Sequence, residues 1–168
     1  MSFRKSNAEQ LLVNPFTLIN KDWMLVAAGN KQSHNAMTAS WGALGEIWNY
    51  YTSTIYVRPE RYTLEFLDRE EYYSLCFFDE THRKTLGFYG SHSGRDCDKD
   101  KETGLTPVFD QKAPYYEEAK LVLICRKLYT QSFEEKAFIN ADLYTKNYSK
   151  DGLHRMFIGE ICEILVKE

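Results

Sequence analysis

The sequence predicts a mainly β fold, an antiparallel barrel with a few short helices on its outside. Three observations carry this. Six segments with strand signals are set apart by Gly, Asn and Pro. The helical signals are short and do not alternate with the strands in the βαβ rhythm of a parallel sheet. The chain has 168 residues, 43% hydrophobic and 15% aromatic, which is enough to bury a sizeable core in one domain over 1–168.

The strand segments run in order. Trp23–Asn30, Asn35–Trp41 and Thr52–Pro59 come first. Tyr72–Asp79 carries bulky residues at odd and even positions, so it reads as a strand buried on both faces. Ala119–Phe133 is the longest segment, and His154–Val166 closes the set, with Glu160 and Glu163 on opposite faces. Between them, Glu60–Glu70 follows Pro59 and places Tyr62 and Phe66 four apart, a helical spacing. Asp79–Gly90 starts on a capping residue and stops at glycine. Ser132 and Glu135 have capping-box spacing, which predicts a helix over Glu134–Asn140. Ser91–Ala113 reads as a long polar loop, a length that usually means function or mobility.

Charge and cysteines exclude several classes. The net charge of −3 gives no electrostatic reason to expect DNA, RNA or a membrane surface as partner. No apolar run reaches the roughly 20 residues of a membrane span, and the N-terminus lacks the apolar stretch of an export signal. The four cysteines are scattered without a CxxC pair, so they read as reduced thiols and the expected location is cytoplasmic. His34, His82, His92 and His154 lie far apart and form no metal-ligand spacing, so no metal is expected. Asp96, Asp98 and Asp100 alternate as in a calcium loop. The pattern then needs Gly and Glu where this chain has Lys101 and Pro107, and calcium is rejected. No nucleophile elbow, Walker loop or dinucleotide fingerprint is present.

Two stretches remain. "GSHSGRDCDKDK" (Gly90–Lys101) gathers Ser91, Ser93, Gly94, Arg95 and Lys99. Hydroxyls, backbone N–H groups and cations of this kind can cradle a phosphate, and a solvated turn has the same composition. Arg58 and Arg61, in "YVRPERYT", add cations able to reach an anion. "HNAMTASW" (His34–Trp41) is a strand of unusually small side chains. Such a strand lets a flat ligand approach the backbone, with Thr38 and Ser40 offering hydroxyls. It equally suits a tight packing crossing.

"HNAMTASWGALGEIW", "YVRPERYT", "FFDETHRKTLGFYGSHSGRDCDK" and "HRMFIGEI" occur in an order and at spacings that resemble the flavin reductase-like family, in its flavoredoxin-type branch, from about Asn14 to Leu165. The resemblance implies an FMN-binding split β-barrel of antiparallel Greek-key type and a homodimer holding flavin near the subunit interface. It implies FMN as cofactor and NAD(P)H as electron donor, with an NAD(P)H-dependent flavin reductase as the first reading. A flavoredoxin-type carrier with tightly bound FMN and a protein redox partner is the alternative. By position, Met37, Thr38, Ala39 and Ser40 correspond to the strand along the flavin ring, and Arg58 to a phosphate or ring-edge contact. Ser93, Gly94, Arg95 and Lys99 correspond to the loop around the phosphate tail, and His154 to a position near flavin or nicotinamide. No catalytic residue is implied, since hydride transfer to flavin needs no protein acid or base. Cys97 departs from the family loop, and the insert of larger relatives is missing, which implies an open substrate pocket.

Overall fold

The computed structural model describes residues 2–168. Its strands form one large antiparallel sheet. β1 (Phe3–Ser6) is followed by α1 (Pro15–Thr17), which starts with Asn14 capping the Phe16 N–H at 3.0 Å and Pro15 in the first turn. β2 (Met24–Gly29) and β3 (His34–Ala39) make one hairpin; β4 (Gly42–Ile47) and β5 (Tyr50–Val57) make the next. Trp48 and Asn49 turn the second hairpin with φ of 57° and 59°, the left-handed pair that a two-residue hairpin loop requires. α2 (Thr63–Arg69), β6 (Tyr72–Phe77), α3 (Arg83–Ser91) and α4 (Lys99–Thr103) follow. β7 (Pro107–Val108), β8 (Tyr115–Tyr116), β9 (Leu121–Ser132), α5 (Ala141–Tyr148) and β10 (Arg155–Lys167) complete the chain.

The strand order is β3-β2-β6-β9-β10-β5-β4, with β1 added to β10 and a separate β7–β8 pair. Hairpins give local pairs, while the β5–β6 connection carries the chain between distant strands, a Greek-key kind of path. β3 and β4, adjacent in sequence, end on opposite edges of this order.

Two apolar clusters flank the sheet. β6 sends Tyr73, Leu75 and Phe77 into one and Cys76 into the other, which is why both of its faces are bulky. Phe66 and Leu67 of α2 join the first cluster; Leu86 and Tyr89 of α3 join the second. The bends in β10 are irregularities at Ile158/Gly159 and Ile161/Glu163. A Cβ at Gly159 would lie 2.5 Å from the Tyr73 hydroxyl, which meets Ser53 Oγ at 2.7 Å. Glycine at the bulge is what lets this buried tyrosine cross the core.

Some elements differ from the sequence reading. β4 was unmarked because its burial is slight and its composition glycine-rich. The expected helix over Glu134–Asn140 holds only a single turn at Glu135–Ala137. Ser132 ends β9 rather than capping, and the helix is α5, capped by Asn140 on the Asp142 N–H at 3.0 Å. The long polar loop contains α4, capped by Asp98 on the Lys101 N–H at 3.3 Å.

Candidate functional site

Strand β3 lies at a sheet edge, and its small side chains have two uses. Ala36 and Thr38 face α3: Ala36 packs in the cluster of Leu86 and Tyr89, and the Thr38 hydroxyl donates to Leu86 O at 2.5 Å. A Cβ on Gly90 would stand 3.5 Å from Thr38 Cβ, an ordinary contact, so α3 and β3 pack here at van der Waals distance. Thr38 therefore spends its hydroxyl proton inside the fold and does not offer it to a ligand. Asn35 and Met37, by contrast, line a pocket.

That pocket, about 160 Å³, is bounded by β3, by Glu60–Thr63 at the start of α2, by Gly90–Gly94 after α3, and by Lys99 of α4. Lys99 is 5% exposed; its ammonium donates to Ala36 O on the free edge of β3 and lies 5.1 Å from the Tyr89 ring centre. Burial pushes its pKa down to about 8, and the nearby Arg61 guanidinium adds to the effect. Arg61 donates to Tyr89 O at 3.4 Å, and burial lowers its pKa too. Among the described residues neither cation has a carboxylate partner in ion-pair range. Glu60 and Asp100 offset part of the mutual repulsion of these two cations without reaching ion-pair distance, and an anion entering the cavity would offset more of it.

The loop is shaped to fit. A Cβ at Gly94 would fall 2.1 Å from Asn35 Oδ1 and 3.1 Å from Tyr62 Cδ1. Asn35 is itself held by donating to Thr63 Oγ1 at 2.8 Å. Asp100 fixes α4 through His34 Nε2 at 2.7 Å and the hydroxyls of Tyr116, at 3.0 Å, and Tyr89. Those donors outweigh the opposing effect of burial and leave its carboxyl below the ordinary range. A second pocket, about 440 Å³, lies beyond Gly94 and is lined by Arg95, Cys97 and Asp98 with Lys99 on the shared wall.

At its other end β3 runs into an aromatic cavity of about 500 Å³. Ser40, Trp41, Tyr56, Phe133, Phe138 and Tyr148 line it. His154 sits beside it, 7% exposed, with its ring 5.3 Å from Trp41 and Nδ1 2.8 Å from the Tyr148 hydroxyl. Burial pushes its pKa down to about 4, helped by the Arg58 guanidinium. Arg58 donates to Asn147 O at 3.1 Å and Gly152 O at 3.2 Å and lies 5.3 Å from the Tyr148 ring centre.

Residues 18–168 match the flavin reductase like domain. The chain belongs to the flavin reductase-like family. No curated protein matches the sequence. Among solved structures, the fold resembles an FMN-binding domain of a flavin reductases-like enzyme from Shewanella baltica. The TM-score is 0.70 at 16% identity, over 98% of this chain and 77% of that one. It also resembles flavoredoxin from Methanosarcina acetivorans, with a TM-score of 0.70 at 22% identity over 96% and 77%. An NADH:FAD oxidoreductase from Streptomyces globisporus aligns with a TM-score of 0.63 at 16% identity, over 87% and 75%. A protein with a split barrel domain from Shewanella frigidimarina is a further match, with a TM-score of 0.68 at 19% identity over 100% and 81%, and the fold here is that split barrel.

Of the ten residues singled out from this family's pattern, seven divide between the two ends of β3. Met37, Ser93, Gly94 and Lys99 meet at the cationic pocket. Ser40 lines the aromatic cavity and His154 adjoins it; Thr38 and Ala39 lie between. Arg58 belongs to the aromatic end, while Arg95 turns away from the small pocket toward α2. Sequence reasoning left Asn35 and Thr63 out of the site and offered Arg61 only as one of two cations able to reach an anion. Arg61 alone had a signal, its place two residues after Pro59 beside Arg58; which of the two arginines faces the pocket depends on how α2 docks on β3.

Proposed function

We propose that this protein binds FMN and works as an NAD(P)H-dependent flavin reductase, a cytoplasmic homodimer. The observation that carries the reading is a buried lysine, Lys99, beside a half-buried arginine, Arg61, on a cavity of about 160 Å³, neither of them in an ion pair among the described residues. A phosphate monoester has the charge and size that such a cavity lacks. The Ser93 hydroxyl, which accepts from the Arg95 N–H and keeps its own proton to donate, adds a neutral donor on one wall. Ala36 O faces the free edge of β3; because backbone groups alternate along a strand, those of Thr38 face the same edge and are available to a flat ring. Ser40 and the aromatic cavity lie further along that edge, where a ring system extending from the phosphate would arrive. His154, neutral at pH 7, contributes no charge there. When bound, FMN supplies a two-electron centre that accepts hydride from a nicotinamide. The structural relatives include proteins described as FMN-binding and as an NADH:FAD oxidoreductase, which favours this chemistry. Exposed Trp48, Tyr50 and Tyr51 make the tip of the β4–β5 hairpin aromatic on both sides, a surface suited to a second copy of the chain.

The test is titration of the protein with FMN followed by stopped-flow mixing with NADH or NADPH. Bleaching of the flavin absorbance by either nucleotide is the expected result. Bleaching only by dithionite or a redox partner protein would replace the reductase with a flavoredoxin-type carrier. Failure to bind FMN would overturn both.

A further inference from the structure

Arg95 carries the charge that a phosphate loop would use, yet it does not line the cationic pocket. Its guanidinium pairs with Glu65 and donates to Glu60 O at 3.2 Å, and it lies 4.6 Å from the Tyr62 ring centre. Its own N–H donates to Ser93 Oγ at 3.2 Å. Glu60, Tyr62 and Glu65 belong to α2 or the turn before it, and Ser93–Arg95 to the strand of loop between α3 and α4. These are the two banks of the cationic pocket: Glu60–Thr63 on one side, Gly90–Gly94 on the other. Gly94, immediately before Arg95, fills the seam between them so tightly that no Cβ fits against Asn35 and Tyr62.

From this arrangement we infer that Arg95 is a latch: its contacts with Glu65, Tyr62 and Glu60 hold the 91–97 loop closed over the pocket, and their release sets how fast flavin exchanges. Arg95 is thus a positioning residue and not a phosphate ligand. The inference rests on the proposal that a flavin phosphate occupies the pocket. The ion pair is exposed, 44% at Arg95 and 56% at Glu65, and such a pair alone is weak. The stacking on Tyr62 and the backbone acceptor on the same guanidinium give the latch its geometry while leaving it easy to open.

The latch and the ligand roles predict opposite signs for one variant. If Arg95 bound phosphate, Glu65→Ala would free the guanidinium and slow FMN dissociation. As a latch, Glu65→Ala and Arg95→Ala both speed FMN dissociation, by roughly three- to tenfold, and the charge-swapped double variant Arg95→Glu, Glu65→Arg restores a slow rate. Stopped-flow displacement of FMN, read by its fluorescence, measures this. Amide hydrogen exchange over 91–97 in the flavin-free protein gives a second reading: faster in both single variants and recovered in the swap. Slower dissociation in Glu65→Ala, or unchanged exchange in all variants, overturns the latch. If wild-type protein binds no FMN, the flavin proposal falls while the exchange data still decide whether Arg95 holds the loop.

Discussion

The two ends of β3 each bury a base, and the contrast between them separates packing from function. His154 lies against Trp41 and Tyr148 and gives up its proton, its pKa pushed to about 4. A neutral imidazole bonded to a tyrosine hydroxyl needs nothing further from outside. Lys99 is buried as deeply, yet with a pKa near 8 it stays charged at pH 7; its ammonium donates to a backbone carbonyl and lies over an aromatic ring, and among the described residues it forms no ion pair. A buried base that turns neutral completes a core; one that stays charged without a carboxylate marks a place for an anion.

The sharpest way to break this comparison is Lys99→Met alongside Arg61→Met. Each is expected to cost about 1–3 kcal/mol of FMN binding, the worth of a charged hydrogen bond, read by fluorescence titration. Lys99→Met is at the same time expected to leave the Tm of the flavin-free protein unchanged or raised, because it removes an unpaired buried charge. A fall in both affinity and Tm would make Lys99 an ordinary structural residue.

Gly94→Ala probes the wall of the same pocket. Its Cβ would overlap Asn35, which is tied to Thr63, so unfolding by urea should show a loss of about 1–3 kcal/mol. A neutral result would mean that the seam is loose.

pH then distinguishes the two bases. Below pH 6.5 an unfolded chain protonates its histidine while native His154 stays neutral until about pH 4, so stability falls as pH drops through that window. His154→Gln should flatten this acid limb in a series of thermal melts while leaving FMN affinity at pH 7 unchanged within about twofold. A retained slope would assign the acid sensitivity elsewhere.

For Lys99 the window lies at the other side. Between about pH 8 and its ordinary 10.5 the unfolded chain holds a proton that native Lys99 has lost, so its burden on the flavin-free fold lifts as pH rises. FMN affinity should fall over the same range, since the ammonium that would meet the phosphate is disappearing. Titrations at pH 7 and pH 9 check this smallest effect; equal affinities, with Lys99→Met also showing no pH dependence, would remove the lysine from the site.

Much of this was legible in order along the chain. β2, β5, β6, β9 and β10 announce themselves because buried strands need apolar runs bounded by turn residues, a local constraint, and β3 is marked by its small side chains between Asn and Gly. β1 and β4 do not, because both are short on buried residues and owe their place to pairing with β10 and β5. The small side chains of His34–Trp41 allow a close approach, which α3 makes, and the Ser93–Gly94–Lys99 run holds the polar and cationic types that the fold brings to one pocket. Both signals depend on residue type, which the sequence states directly.

What the sequence could not state is who meets whom. Ala36 and Thr38 take α3 as their close neighbour, while Asn35 and Met37, one position out of phase, look onto the cationic pocket. Arg58 and Arg61, three apart, go to opposite ends of β3, and Arg95 binds α2 in place of the cavity its charge suggested. Amphipathic period and residue chemistry are local and survive in one dimension. The direction of a long cation, and whether a carboxylate reaches it, depend on contacts between segments tens of residues apart, and only the packed chain decides those.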